Sequence, residues 1–386
     1  MINHMKTAII TDHQLPFIIE EVSTWKEFDA LQPEWDQLLS RSSADNYFLT
    51  HGWLSVWHKH FGTTLTPFIL IARDPETGNL SGIAPLVIEK KYSLSGLSIK
   101  EISFMGNGCL QIDHLDFILD AEFEEEVSES FADYIFQKKN KWDNIYLDGL
   151  VSTSKTLHSL LKNSGLGKNL IYTETSPYLP LPESWITLKE QLGKNLRYNL
   201  GRYLRKLEKN HSGEVTFQVV KTESELNWVM PNLYYLHHQV QRIKRNQKGI
   251  FGDMNLAEFH KTISKKALQS DNLRLYSLSV DDVIIAVLYC FKYKDRVLFY
   301  QAGYDPEWQS YSPGRLLIAY AIKSSIAEHA KEFDFLRGDE EYKSTWTSKS
   351  RKELRVHLSS SIKGQTSMMP LMARKILKTI LSNTAD

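Results

Sequence analysis

Between residues 23 and 40 the apolar positions Trp25, Phe28, Leu31, Trp35, Leu38 and Leu39 recur in three- and four-residue steps, which puts them on one face of a helix. A second helix, rich in aromatics (Trp53, Trp57, Phe61), covers 50–61. Short apolar runs follow at 66–73, 81–89, 99–104 and 112–119, separated by Asp74-Pro-Glu-Thr-Gly78 and Gly106-Asn-Gly108, and they predict strands. An acidic-led helix at 121–140, a strand at 143–149, a helix at 154–164 and a strand near 170–180 complete this half, and Pro177, Pro180 and Pro182 mark its end. The order then repeats. A helix at 187–210, a strand at 214–220, helices at 222–247 and 255–269, strands at 272–279, 282–291 and 295–303, a helix at 312–330 and strands at 332–337 and 352–360 follow. No residue-level repeat accompanies this order. It predicts an α/β (α+β) chain with two domains of one architecture, 20–182 and 183–362, each a mixed sheet with helices on its faces. Residues 363–386 form a basic amphipathic tail (Met368, Leu371, Ile376, Leu377, Ile380 and Leu381 with Arg374, Lys375 and Lys378). It suits docking on its own domain or peripheral contact with a membrane or partner.

At 386 residues the chain is too long for one ordinary core, in keeping with two domains. Lys+Arg and Asp+Glu are both 46, so any attraction to nucleic acid or membrane must be local. The two cysteines, Cys109 and Cys290, are far apart and give no disulfide framework or zinc site. No signal-peptide pattern opens the chain, and no apolar run approaches the ~20 residues of a membrane span, so a cytoplasmic protein is expected. No Gly-x-Ser-x-Gly elbow, Walker loop, dinucleotide glycine fingerprint or His-x-x-x-His pair is present, which removes hydrolase, P-loop, nicotinamide and metal readings.

The chemistry-bearing residues gather late in the chain. Ser312 suits an N-cap and Pro313 the first helical position, while Gly314 leaves the helix end without a side chain. Such an end favours an anion, although an ordinary capped helix has the same sequence. Asp339, Glu340, Tyr342 and Lys343 follow the strand 332–337 directly, where open α/β sheets place ligands. Asp339 or Glu340 suits a base, Tyr342 an acid, and Lys343 and Arg337 charge balance; a surface turn of mixed charge reads the same way. On the helix 188–209, Lys194, Arg202, Arg205 and Lys209 face away from the apolar stripe, and Arg197 sits at its edge, pointed at a groove between domains or at solvent. His237-His238 precedes a second basic cluster, Arg242 to Lys248, which suits an acidic substrate or a helix C-terminus equally.

The segment from Tyr300 to Trp346 resembles the GNAT-fold acyltransferases, most closely the CelD-type group associated with cellulose or exopolysaccharide biosynthesis. Tyr300-Gln-Ala-Gly303, Ser312-Pro-Gly314, Phe333-Asp-Phe335 and Gly338-Asp-Glu-Glu-Tyr-Lys343 carry the resemblance, with softer matches at Trp35-x-x-Leu38, Phe48-Leu-Thr-His-Gly-Trp53 and Gly82-Ile-Ala-Pro-Leu86. It implies two tandem GNAT-like domains with mostly antiparallel sheets, as in Fem-type aminoacyltransferases. It also implies acyl-CoA as co-substrate, with its pyrophosphate on the helix that starts at Ser312, near Gly314 and Arg315. Backbone N–H groups near Gly303 would polarise the thioester. Tyr342 falls where many members keep a tyrosine acid. Ser-Pro-Gly-Arg departs from the usual Gln/Arg-x-x-Gly-x-Gly/Ala phosphate loop. The implied reaction moves an acyl group to an amine or hydroxyl of a small-molecule or saccharide acceptor, in a cleft lined by residues near Arg197, His237, Tyr304 and Asp339. Two alternatives stand beside it: a Fem-like transferase using aminoacyl-tRNA, and a non-catalytic binding protein of a polysaccharide-export system.

Overall fold

The computed structural model describes residues 16–92, 96–108, 110, 112–163, 170–211, 213–245 and 249–367. Most of the predicted tail and Cys109 thus lie outside the described residues. The first half contains β1 (Ile18–Val22), α1 (Trp25–Ala30), α2 (Gln32–Ser40), α3 (His51–Phe61), β2 (Thr66–Pro67), β3 (Ile69–Arg73), β4 (Leu80–Ala84), β5 (Leu86–Tyr92) and β6 (Ser98–Phe104). It continues with β7 (Ile118–Leu119), α4 (Glu124–Gln137), β8 (Asn144–Val151), α5 (Lys155–Asn163) and β9 (Leu170–Pro180). The second half holds α6 (Trp185–Gln191), α7 (Lys194–Asn210), β10 (Val215–Val219), α8 (Glu223–Arg245), α9 (Met254–Gln269), β11 (Leu273–Val280), β12 (Val283–Tyr293) and β13 (Arg296–Tyr304). It ends with α10 (Pro313–Ala327), β14 (Glu332–Asp334), α11 (Glu341–Ser344) and β15 (Ser350–Ser359).

Where the observed elements are shorter than the periodicity predicts, backbone chemistry gives the reason. The helix expected over 23–40 breaks at Leu31 because Pro33, which cannot donate, opens α2. Pro85 likewise divides the run 81–89, and the chain there passes from one sheet to another, β4 in the first and β5 in the second. The strand expected over 112–119 shrinks to Ile118–Leu119 because the carbonyls of Asp113 and His114 accept from the Asn46 amide at 2.9 and 3.1 Å, not from a strand.

A four-stranded sheet, β1-β3-β4-β7, flanks an eleven-stranded one ordered β10-β11-β12-β13-β14-β9-β15-β8-β6-β5-β2. The larger order is nearly palindromic. Parallel β13 and β14 are joined through α10, and parallel β6 and β8 through α4. The last strand of each half has changed places: β9 pairs with β14 of the second half, and β15 with β8 of the first. The exchanged strands pair antiparallel with each other from Ser350↔Pro177 to His357↔Leu170. A pseudo-twofold axis therefore runs between β9 and β15.

The halves also share one apolar core. Trp53 of α3 packs edge-on against Phe259 and Phe291 at ring separations of 5.2 and 5.4 Å, and Tyr47 stacks on Phe291 at 4.8 Å. Each such pair adds about 0.5–1.5 kcal/mol beyond its buried area. A second cluster lies on the other face of the second-half sheet, where Leu196 and Leu207 of α7 meet Leu317, Ala321 and Ile322 of α10.

Candidate active site

β13 and β14 pair only from Arg296↔Glu332 to Leu298↔Asp334. β13 runs on to Tyr304, whereas the chain after Asp334 turns through left-handed Leu336 (φ 54°) and Gly338 (φ 128°) and ties back to β9. Phe335 N–H donates to Pro177 O at 2.9 Å and Gly338 N–H to Thr175 O at 3.1 Å. Beyond the short β14 a gap therefore opens between β13 and β9, and a cavity of about 1150 Å³ fills it. Its lining joins Ala302 and Tyr304 of β13, the start of α10, Tyr146 and Asp148 of β8, Glu174 of β9 and Arg355 of β15.

The start of α10 presents unpaired donors to this cavity. Ser312 occupies the N-cap position but in the left-handed region (φ 49°), and its side chain makes no capping bond, contrary to the expected cap. Pro313 has no N–H, and the first helical bond is Leu316 N–H to Ser312 O at 3.2 Å. The N–H groups of Gly314 and Arg315 find no acceptor among the described residues. A Cβ on Gly314 would meet nothing closer than Tyr304 Cδ1 at 3.7 Å, so the approach is open. The Tyr203 phenol of α7 is pulled down, first by its hydrogen bond to Ser312 and then by Arg202 and Arg315. The counterpart helix α4 differs: Glu124, Glu125 and Glu126 fill its first turn and disfavour an anion.

At the seam between the halves Arg337 is fully engaged. Its backbone N–H donates to Asp113 at 2.6 Å and its Nε to the same carboxylate; Nη1 reaches Asp148 at 2.9 Å and Glu174 at 3.1 Å, and Nη2 donates to Ile112 O at 2.9 Å. Gly149 (φ 83°) makes room for it, since a Cβ there would sit 3.3 Å from Nη2. Asp113 is 1% exposed, and burial, helped by Glu353, pushes its carboxyl up to about 6 against the pull of Arg337 and His114. Burial alone would lower the neighbouring His114 imidazole, but Asp334 and Glu353, at 3.0 and 2.8 Å, hold it well above its usual range.

The predicted site residues divide into those the cavity gathers and those it does not. Ser312, Gly314, Arg315, His237, Tyr304, Arg337, Tyr342 and Lys343 line it. Asp339 and Arg197 do not: both are exposed, Asp339 at the outside of the Gly338 turn and Arg197 on the solvent side of α7. Gly303 is also absent from the lining; a Cβ there would meet the His237 backbone nitrogen at 2.5 Å, so its glycine lets α8 lie against β13. Buried His237 donates from Nδ1 to Ala302 O at 3.0 Å, since the carbonyl can only accept. Lys343 is buried and acts as a strap: Nζ donates to Leu336 O at 3.1 Å and Arg337 O at 2.8 Å and pairs with Glu340 at 3.0 Å. That geometry, and the engaged guanidinium of Arg337, assign both cations to holding the loop 335–343. The Tyr342 hydroxyl has no hydrogen-bond partner among the described residues, and burial, then Glu340, push its phenol well up, so it stays protonated.

Sequence reading missed Asp113, Tyr146, Asp148 and Glu174. All come from the first half, and the available signal was a carboxylate inside an otherwise strand-like run, as in Tyr172-Thr-Glu-Thr-Ser176. Asn107 and Gly108 of the predicted turn also line the cavity.

Residues 194–344 match a family model described as an acetyltransferase (GNAT) domain. No curated protein matches the chain. Among solved structures, FemX matches at 10% identity and a TM-score of 0.58, covering 91% of this chain and 99% of that one. A conserved protein of unknown function from Bacteroides thetaiotaomicron matches at 9% identity and 0.55, covering 89% and 100%. A tandem GNAT protein from the clavulanic acid biosynthesis pathway matches at 9% identity and 0.50, covering 89% and 99%. At such identities the likeness is one of fold: a mixed α/β chain of tandem GNAT type.

Proposed function

We propose that the GNAT domain of the second half transfers an acyl group from acyl-CoA to an amine or hydroxyl acceptor brought in from the first-half side of the cavity. The observation that carries this reading is the pair of unpaired N–H groups at Gly314 and Arg315, opening onto the gap between β13 and β9. They suit the pyrophosphate of CoA, with the Arg315 cation beside them. Two contacts instead of the usual larger set agree with the Ser-Pro-Gly-Arg sequence, in which Pro313 donates nothing. Tyr342, protonated and without a partner, suits donation to the departing thiolate. Most of the acceleration would come from holding donor and acceptor together in a shielded site. The CelD-type motifs favour a saccharide or polysaccharide precursor as acceptor, and CoA as donor fits a cytoplasmic reaction.

A second reading, an aminoacyl-tRNA donor, is favoured by one feature: Lys194, Arg197, Arg202, Arg205, Lys206 and Lys209 make an exposed basic face on α7. Calorimetric titration with CoA and with tRNA separates the two. CoA binding that Gly314→Glu abolishes in a folded protein supports the first reading. Unchanged CoA affinity in that variant, or binding of tRNA alone, overturns it.

A further inference from the structure

We infer that Glu174, carried by the exchanged strand β9, is the general base for the acceptor, so that one half of the chain supplies the base and the other holds the donor. This rests on the acyl-transfer reading above and adds to it the residue and the half from which it comes.

Four carboxylates reach the cavity, and their bonding and placement separate them. Both Asp113 oxygens are taken by Arg337. Both Asp148 oxygens are taken as well, one by Arg337 at 2.9 Å and the other by Arg355 at 2.8 Å. Glu340 pairs with Lys343 at 3.0 Å and belongs to the strap of the loop. Among the described residues, Glu174 and Glu340 each keep one oxygen without a hydrogen bond, but Glu340 sits on the strapped loop whereas Glu174 is fixed on a strand. Glu174 Oε2 accepts from Arg337 at 3.1 Å, on a nitrogen that Asp148 already shares, while its Oε1 lies 3.6 Å from Arg355, too far for a hydrogen bond. Its side chain is 40% exposed, and it faces the cavity.

Topology explains why it is there. β14 covers only Tyr178 to Pro180 of β9, and the loop after it follows β9 as far as Thr175 O, so Glu174, paired with β15 on its other side, stands where that cover ends. Glu174 stands directly across from Glu353 in that pair. Two like charges so placed repel, and Arg337 lies within reach of both, at 3.1 and 3.9 Å. The guanidinium fixes one Glu174 oxygen and leaves the other aimed at the acceptor, a second shell that orients the reacting group.

In the step, the acceptor nitrogen or oxygen bonds to the thioester carbonyl carbon and its proton passes to Glu174. The carbon–sulfur bond then breaks, and the Tyr342 hydroxyl gives its proton to the departing thiolate. Water carries the Glu174 proton back to Tyr342, so the net change is acceptor plus acyl-CoA to acylated acceptor plus free thiol.

The test follows thiol release from acetyl-CoA by the full chain, with water alone and with glucosamine as acceptor, over a range of pH. Wild type, Glu174→Gln and Glu174→Asp are compared, with CoA affinity by calorimetry and thermal melting in parallel. Gln keeps an oxygen to accept from Arg337, so the fold is retained. Release is expected to fall by ~10²–10⁴-fold in Glu174→Gln, with CoA affinity unchanged within about twofold and part of the rate restored by Asp. Equal release by wild type and Glu174→Gln, both at background included, overturns the assignment. Failure of wild type to bind CoA overturns the donor reading, and calorimetry reveals that before any rates are compared.

Discussion

Replacing Arg337 with Met keeps the aliphatic stem and removes the guanidinium on which the seam depends. Asp148 keeps Arg355 at 2.8 Å, and Asp113 keeps the backbone N–H of residue 337 at 2.6 Å but loses its charged partner while 1% exposed. Breaking a buried pair by removing one member costs about 3–5 kcal/mol, because an uncompensated charge stays behind. Protonation limits that cost. Asp113 already titrates near 6, above an unfolded carboxylate near 3.8, so its contribution to stability is fully present below the lower value and is lost as pH rises through the upper. Without Arg337 the folded value moves higher still, and the penalty of the variant must shrink on acidification. Urea unfolding of both proteins should show a loss of about 3–5 kcal/mol at pH 7.5 and a smaller one at pH 5. A loss below about 1 kcal/mol at pH 7.5, or one that grows toward pH 5, refutes this account of the seam.

Lys343→Met should cost about 1–3 kcal/mol by orphaning the Leu336 and Arg337 carbonyls, seen in urea melts, with CoA affinity little changed. Gly303→Ala should destabilise by about 1–3 kcal/mol, because its Cβ meets α8 backbone and not a movable side chain; full stability would show that α8 can shift. Tyr342→Phe should lower turnover by ~10²-fold or more with little change in melting temperature. Asp339→Asn should leave turnover within about twofold, since its side chain lies outside the cavity, and a large loss would return it to the chemistry.

Much of the element order was legible because its period is local. The helix over 50–61 is observed as His51–Phe61, and the strand over 295–303 as Arg296–Tyr304. The repeated order was legible too, and so was the gathering of Ser312, Gly314 and Tyr342, which sit close together in the chain. The share taken by the first half was not. Glu174 reaches the cavity only because β9 leaves its own half, and pairing across the chain has no signature in a short window. Asp339 shows the converse: sequence places it next to the site, but Gly338 at φ 128° turns the chain so that its side chain faces solvent. Lys343 looked like a ligand-binding cation because sequence does not show two carbonyls converging on its ammonium.

The exchange of β9 and β15 has a consequence for synthesis. A ribosome delivers the first half with β8 lacking its neighbour β15 and β9 lacking both of its partners, and the missing strands β14 and β15 come late in the second half. Throughout that interval the nascent chain exposes unpaired edges, which invite pairing with other chains. The final closure joins segments very distant in sequence, a slow class of folding event. Once closed, the same arrangement ties the halves together: a single cut in the linker between β9 and α6 would leave two fragments still zipped through the centre of one sheet.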